Sequence, residues 1–214
     1  MMIFKENESV VFLGDSITDS NKSGVEGSYL WDVLGSGYVN MVNSYFLLYQ
    51  PKLNLRIINQ GISGNRTTDL LARLDKDVIS YQPNHVVLMI GVNDAWRQLD
   101  CPQMPEYRQT TDMYKQNVLE IIARLQKAHA NVILMSPFYL EPNRENALRK
   151  KVDAYNVILK EISTNLGLMY IDLQQAFDKL LEEVSIFTIS GDRIHLNMAG
   201  NMFLRDQVIK QLTK

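Results

Sequence analysis

Cysteine is nearly absent from this sequence of 214 residues, which contains only Cys101. A single cysteine cannot form an internal disulfide, and it cannot supply the paired thiols of a CxxC metal or redox motif. Chains that fold without disulfides are typical of the reducing cytosol, so we expect a cytoplasmic location. Cys101 lies between Asp100 and Pro102 with no base beside it in the sequence, and we expect it to be unreactive.

An excess of charge and long apolar runs are also missing. The 22 lysines and arginines and 24 aspartates and glutamates give a formal net charge of −2. Binding to nucleic acid or to an anionic membrane surface needs clustered positive charge, so we expect neither partner. The longest apolar stretches, 86–92 and 132–140, are far shorter than the roughly 20 residues that span a bilayer. Charged residues interrupt the apolar start of the chain, and we expect no secretion signal.

Short apolar runs alternate with longer amphipathic segments along the chain. The short runs are rich in β-branched residues and predict buried strands at 10–13, 55–58, 85–90, 132–135 and 168–171. Between them, apolar residues recur at spacings of three and four, as in 114–125 and 152–162, which predicts helices with one buried face.

This alternation predicts an α/β fold, a three-layer α/β/α sandwich around a five-stranded parallel sheet. The sequence shows no repeat, low-complexity tract or Gly/Ser linker, so we expect a single domain over residues 1–214. In open parallel sheets the ligand lies beyond the carboxyl ends of the strands. Polar, glycine-containing segments follow the first three predicted strands at 14–19, 59–65 and 91–94, and another precedes the last helix at 191–197.

These polar segments contain the groups that nucleophilic catalysis requires. Ser16 offers a hydroxyl directly after a strand, and His195 has a carboxylate, Asp192, three residues before it. That spacing allows the carboxylate to fix the imidazole tautomer that can deprotonate Ser16, and we expect activity to rise with pH as His195 loses its proton. The backbone N–H of Gly64 and the side-chain amide of Asn93 could bind the oxyanion.

Each of these residues also has a simpler structural interpretation. Ser16 could cap the helix after the first strand, and Asp192 could cap the last helix. Asn93 could be a turn residue, and Asp94 is expected to support its loop through hydrogen bonds. The other histidines, His85 and His129, have no carboxylate at a useful spacing in the sequence.

Four blocks of the sequence together resemble the SGNH/GDSL hydrolase superfamily. In chain order they are Gly14-Asp15-Ser16, the turn at Gly64, Gly91-Val92-Asn93-Asp94, and Asp192 with His195. The resemblance implies a flavodoxin-like sheet of five parallel strands. It implies Ser16 as nucleophile and, through its N–H, as an oxyanion donor. It further implies Gly64 and Asn93 as the other donors, and His195 as the base that Asp192 orients.

The segments 35–39, 61–65, 90–98 and 136–139 are similar to an intracellular bacterial acetyl-xylan esterase branch of this superfamily. That similarity implies a serine esterase that removes acetyl groups from acylated saccharides such as xylo-oligosaccharides, without cofactor or metal. The sequence departs from the pattern at Leu196, where most of the family has proline, and at Gly191, where the branch has tryptophan.

We assign five further residues to the substrate site: Asp15, Trp96, Arg97, Tyr29 and Trp31. Asp15 is expected to orient the loop of Ser16 through backbone hydrogen bonds. An indole face and a guanidinium suit a sugar ring, but ordinary packing and a surface ion pair explain Trp96 and Arg97 equally well. The aromatic side chains at 29 and 31 could instead form an interface in a homo-oligomer.

Two other functions stay open at this point. Within the hydrolases, the substrate could be a short-chain lipid ester, a lysophospholipid or a thioester. In another class, Ser16, Thr18 and Ser20 at a helix start could bind the phosphate of a flavin in a flavodoxin-like module. A phosphoryl transfer through Asp15 is disfavoured because position 17, where a second acid is usual, is Ile17.

Overall fold

The computed structural model describes residues 3–23 and 33–213. Its centre is a sheet of five parallel strands in the order β2-β1-β3-β4-β5. The strands are β1 (Ser9–Gly14), β2 (Arg56–Gly61), β3 (His85–Met89), β4 (Asn131–Met135) and β5 (Met169–Ile171).

The helices of the described residues lie between and after these strands. They are α1 (Ser16–Asp19), α2 (Tyr38–Tyr49), α3 (Thr67–Asp77), α4 (Val92–Asp100), α5 (Thr111–Lys127), α6 (Ala147–Leu166), α7 (Leu173–Leu180), α8 (Ile186–Ile189) and α9 (Met198–Leu212). Short 3₁₀ turns occur at Pro51–Leu53, Ile79–Tyr81 and Pro105–Tyr107. No helix within 3–23 and 33–213 has the length and apolar character needed to cross a membrane.

The helices form one layer on each side of the sheet. The chain runs from β1 to β2 in one direction and from β2 through β5 in the other, so right-handed crossovers place the intervening helices on opposite faces. In agreement, α2 packs against α9, whereas α5 packs against both α3 and α6. The predicted three-layer sandwich with a flavodoxin-like strand order is confirmed.

Burial on both faces explains why the central strands read as continuous apolar runs. From Val10 to Leu13 and from Val86 to Met89, the side chains are almost completely buried. The register pairs Gly14 with Gly61 on one side and with Met89 on the other, so these three strands end at the same level. The segments that follow them therefore meet at one edge of the sheet.

The second strand is longer than its apolar run predicts. It continues through Asn59, Gln60 and Gly61, which the sequence places in the following loop. The buried Asn59 amide donates to the carbonyls of Thr18 and Leu34, and its oxygen accepts from the Gly61 N–H. These hydrogen bonds satisfy a polar side chain inside the fold, so the strand continues where hydrophobicity alone would end it.

Candidate active site

The hydroxyl of Ser16 lies at the point where β1 turns into α1. Asp15 is the N-cap of this helix, and its carboxylate accepts a hydrogen bond from the Ile17 N–H at 3.0 Å. Because Asp15 caps the helix, the Ser16 side chain is not needed for that purpose. The Ser16 Oγ instead lies 2.9 Å from Nε2 of His195, 179 residues further along the chain.

Asp192 holds the other side of the imidazole. Its Oδ2 lies 2.5 Å from His195 Nδ1, and its Oδ1 accepts from the N–H groups of His195 and Ile194 at 2.7 and 3.0 Å. Partial desolvation works against ionisation of Asp192, but the hydrogen bonds from His195 and from the two N–H groups outweigh it and lower the pKa of the carboxyl to about 2. The carboxylate is therefore ionised in any neutral or mildly acidic solution. The last helix is capped by Asn197, which removes the capping interpretation of Asp192.

Two buried residues that the sequence did not single out support this turn. The Ser190 hydroxyl donates to the His195 carbonyl at 2.8 Å and to Asp192 Oδ1 at 3.3 Å. The Asn201 amide donates to the Leu196 carbonyl at 2.9 Å, while its oxygen accepts from the Tyr38 N–H at the start of α2. Neither belongs to a recognisable motif, so only the fold reveals them.

The two predicted oxyanion donors come from a loop and from the start of a neighbouring helix. Gly64 has a φ of +82°, and a side chain there would meet open space. Its backbone angle, rather than lack of room, is therefore what favours glycine. Asn93 lies buried in the first turn of α4 and donates to the Asn65 carbonyl at 3.1 Å. This bond joins the loop of Gly64 to α4.

A buried carboxylate fixes the same two segments to each other. Asp94 accepts from the Thr67 N–H at 3.0 Å and from its hydroxyl at 2.6 Å. The Thr67 oxygen in turn accepts from the amides of Gln109 and Asn117. Burial raises the pKa of Asp94 to about 6, although the hydrogen bonds from Thr67 oppose the shift. The expected supporting role of Asp94 matches this geometry.

Asp15 is also fully enclosed beneath Ser16. Burial raises its pKa to about 7, the Ile17 N–H opposes that shift, and the nearby negative charge of Asp94 adds to it. The side chain orients the start of α1, as the sequence suggests. Contact between Asp15 and a substrate stays a prediction, because the carboxyl is buried below the nucleophile rather than facing the cleft.

A cleft of about 270 Å³ opens above Ser16 and His195. The described residues that line it are Ser16, Ile17, Ser20, Asn21, Ser63, His195, Leu196 and Asn201. The lining is mostly polar and small, with apolar surface from Ile17 and Leu196. Gly191 leaves open space at the position where the branch has tryptophan.

The remaining predicted substrate residues lie outside this lining. Trp96 packs partly buried against the core, and the Arg97 guanidinium lies 4.8 Å from its ring centre and pairs with Asp100. Contact of Trp96 and Arg97 with substrate stays a prediction. Their observed contacts fit ordinary packing and a surface ion pair. Tyr29 and Trp31 lie outside the described residues.

A second histidine has a carboxylate partner that the sequence could not show. His85 Nε2 lies 2.9 Å from a Glu8 carboxylate oxygen, 77 residues away. This pair is at the amino end of β3, opposite the edge that carries Ser16. His195 is therefore distinguished by its proximity to a serine, not by having a carboxylate.

Hydrogen bonds join a hydroxyl, an imidazole and a carboxylate at the carboxyl edge of this parallel sheet. This arrangement is typical of serine hydrolases. Comparison with known proteins narrows the class. The chain belongs to the GDSL-like Lipase/Acylhydrolase family, whose model matches residues 12–202. This match confirms the predicted superfamily and favours a hydrolase over a flavin-binding module.

Similar proteins extend the comparison over the whole fold. An acetylxylan esterase from Geobacillus stearothermophilus is 36% identical over 205 residues, covering 96% of this chain and 94% of the relative. The crystal structure of Axe2, an acetylxylan esterase from the same organism, has a TM-score of 0.93 and 35% identity, covering 99% of this chain and 96% of that one.

LAE5, an alpha/beta hydrolase enzyme from the metagenome of Lake Arreo, has a TM-score of 0.94 and 35% identity, with full coverage of both chains. Together with the family match, these relatives make the protein a carboxylic ester hydrolase, as predicted.

Proposed function

We propose that this esterase removes acetyl groups from acetylated xylo-oligosaccharides by covalent catalysis on Ser16. The observation that carries the proposal is the hydrogen-bonded series from Ser16 Oγ to His195 to Asp192. The acetylxylan esterase relatives supply the substrate class. Catalytic mutants of Axe2 replace one serine, and an aspartate and a histidine three positions apart, which is the spacing of Asp192 and His195.

The first half of the reaction transfers the acetyl group to the enzyme. Ser16 Oγ attacks the ester carbonyl carbon while its proton passes to His195 Nε2. The resulting oxyanion accepts hydrogen bonds from the Ser16 N–H, the Gly64 N–H and the Asn93 amide. The bond between the carbonyl carbon and the sugar oxygen then breaks, and His195 returns the proton to that oxygen.

The second half releases acetate. A water molecule gives a proton to His195 and attacks the acetyl carbon on Ser16, and the same donors bind the second oxyanion. Collapse returns the proton to Ser16 Oγ and frees acetic acid, which ionises in solution. Asp192 stays ionised throughout and stabilises the charged imidazole.

The cleft favours a small acyl group on a polar alcohol. Its volume of about 270 Å³ and its polar lining suit a short acyl chain beside a sugar ring. Balanced charge on the chain suits an uncharged substrate.

The proposal is tested with a panel of acetylated xylo-oligosaccharides, acetylated chitin fragments, short-chain lipid esters, lysophospholipids and thioesters. We expect acetate release to be fastest from the xylo-oligosaccharides. With 4-nitrophenyl esters, rates should fall sharply from acetate to longer acyl chains. Undiminished activity on the octanoate, or preference for a lipid or thioester, would overturn the substrate proposal while leaving the esterase class intact.

Three further expectations belong to this proposal. We expect a single domain over residues 1–214 and a cytoplasmic location, and the chain could form a homo-oligomer. The last is supported by the exposed side chains of Leu47, Leu48 and Tyr49, which are adjacent on α2. Analytical ultracentrifugation of the purified wild-type protein and of the variant Leu48→Lys tests the assembly.

A further inference from the structure

The turn that carries the catalytic aspartate and histidine contains an unusual backbone conformation. Arg193, between Asp192 and His195, has a φ of +69°. This left-handed region disfavours residues with a side chain, so an arginine there needs interactions that hold it. The conformation directs the N–H groups of Ile194 and His195 back to Asp192 Oδ1, and so belongs to the geometry of the acid–base pair.

Two contacts from the loop after β4 hold Arg193. The Leu140 N–H donates to the Arg193 carbonyl at 2.9 Å. The Arg193 guanidinium forms an ion pair with the buried carboxylate of Glu141 through Nη1 and Oε2. The Arg193 side chain is 40% exposed, whereas the Glu141 side chain to which it binds is only 11% exposed.

Glu141 is itself fixed by the interior of the fold. Its second carboxylate oxygen accepts from the Asn143 N–H at 2.9 Å. The completely buried Arg149 donates to the Glu141 carbonyl at 2.8 Å and binds both carboxylate oxygens of Asp178 on α7. Because hydrogen bonds hold both its carboxylate and its carbonyl, Glu141 can hold the surface turn of Arg193 in place through the ion pair.

We infer that Glu141 and Arg193 are positioning residues that keep the His195 imidazole within hydrogen-bond distance of the Ser16 hydroxyl. Glu141 acts through Arg193, and Arg193 acts through the backbone of the turn; neither transfers a proton. The inference rests on the proposed catalytic roles of Ser16, Asp192 and His195. It explains how a turn with half-exposed side chains can hold the 2.9 Å distance between Ser16 Oγ and His195 Nε2.

The test compares Glu141→Ala, Arg193→Ala and the double variant with wild type on 4-nitrophenyl acetate. We expect each single variant to lower kcat about 10- to 100-fold with KM nearly unchanged, because a small misplacement of the base slows proton transfer. The double variant should be no slower than the slower single variant, since both changes remove one interaction. Arg193→Lys should recover part of the rate.

Two further variants separate this effect from general destabilisation. Arg193→Gly removes the cost of the left-handed backbone but also the anchor, so it should recover stability without recovering kcat. Arg124→Ala removes another arginine ion pair, with Asp75 between α5 and α3, and should leave kcat unchanged. A higher KM with unchanged kcat in Arg193→Ala would show substrate binding instead and overturn the inference, as would additive losses in the double variant.

A measurement independent of turnover keeps the inference separate from the proposed function. His195 Nδ1 lies 2.5 Å from Asp192 Oδ2, so we expect a proton shared between them to give a downfield resonance. We expect this resonance in wild type and its loss or displacement in Glu141→Ala and Arg193→Ala, whichever ester is the substrate. An unchanged resonance in both variants would overturn the positioning role.

Discussion

The site is built from two halves that the protein fixes in different ways. The half with Ser16, Asn93 and Gly64 lies in the segments that follow β1, β3 and β2, and the buried carboxyls of Asp15 and Asp94 hold these segments by hydrogen bonds. The half with Asp192 and His195 is a surface turn whose side chains are 49% and 47% exposed.

The difference separates two requirements of the reaction. Oxyanion donors must not move as charge develops, so they suit a frame that buried hydrogen bonds hold in place. The base must exchange protons with substrate and water, so it needs partial access to solvent. Hydrogen bonds within the turn, rather than burial, then supply its order.

The largest effect should come from breaking the contact between the two halves. Ser16→Ala and His195→Ala should each lower kcat at least about 10⁴-fold, because either change removes covalent catalysis. Turnover of 4-nitrophenyl acetate is the measurement, and unchanged circular dichroism is the control for folding. Substantial activity in Ser16→Ala would exclude the proposed mechanism.

A smaller but still large effect is expected from the proposed oxyanion donors. Asn93→Ala removes one proposed oxyanion donor, which should lower kcat about 10²- to 10³-fold with little change in KM. Asn84→Ala is the matched control, since Asn84 lies beside the amino end of β1 and bonds to Ser9. A purely turn-forming role for Asn93 would instead appear as lost stability with kcat preserved.

The frame beneath the donors should respond in both stability and rate. Asp94→Asn puts an amide donor where the Thr67 N–H and hydroxyl need acceptors. We expect a loss of about 1–3 kcal/mol in the free energy of unfolding and roughly tenfold in kcat. Urea denaturation and steady-state kinetics measure these, with Asp100→Asn as an exposed control. Wild-type values for both quantities would contradict the supporting role.

The free energy of unfolding and the activity should respond differently to pH, because the buried carboxyls of Asp15 and Asp94 affect the first and His195 affects the second. Asp15 and Asp94 have folded-state pKa values raised to about 7 and about 6 from 3.8, so the native state binds more protons than the unfolded state between about pH 4 and 7. Their protonation therefore stabilises the fold fully below pH 3.8, and this contribution is lost as pH rises through 6 and 7. Each pKa unit corresponds to about 1.4 kcal/mol.

Activity, by contrast, requires the neutral imidazole of His195 as the base, so it should not fall as pH rises from 5 to 8. Urea unfolding and kcat/KM measured from pH 5 to 8 test both trends. Asp15→Asn should flatten the stability curve of the folded protein. A stability that rises with pH in wild type and is unaltered by Asp15→Asn would show that the buried carboxyls are ionised.

The smallest effect, none, is expected from removing metal ions. The proposed mechanism uses the Ser16 hydroxyl, the pair of His195 and Asp192, and hydrogen-bond donors, so incubation with EDTA should leave kcat for 4-nitrophenyl acetate unchanged. Activity lost with EDTA and restored by a divalent cation would show that the site needs a metal ion and would contradict this mechanism.

Much of the fold followed from the sequence because a sheet covered on both faces produces continuous apolar runs. Each predicted strand overlaps the observed one, and at most one predicted residue lies beyond its end. The prediction failed where polar side chains continue a strand, as at Asn59, because their hydrogen-bond partners are distant in sequence. Ser190 and Asn201 were missed because neither belongs to a recognisable motif, although they bond to residues two to five positions away.

The positions of the strands and the contact between Asp192 and His195 could be predicted from the amino-acid sequence, because both depend on neighbours within a few residues. Which histidine faces a serine depends on the tertiary fold, since His85 also has a carboxylate partner. The left-handed conformation of Arg193 beside Asp192 and His195 depends on it too. Those outcomes depend on strand register and packing, which bring together groups up to 179 residues apart.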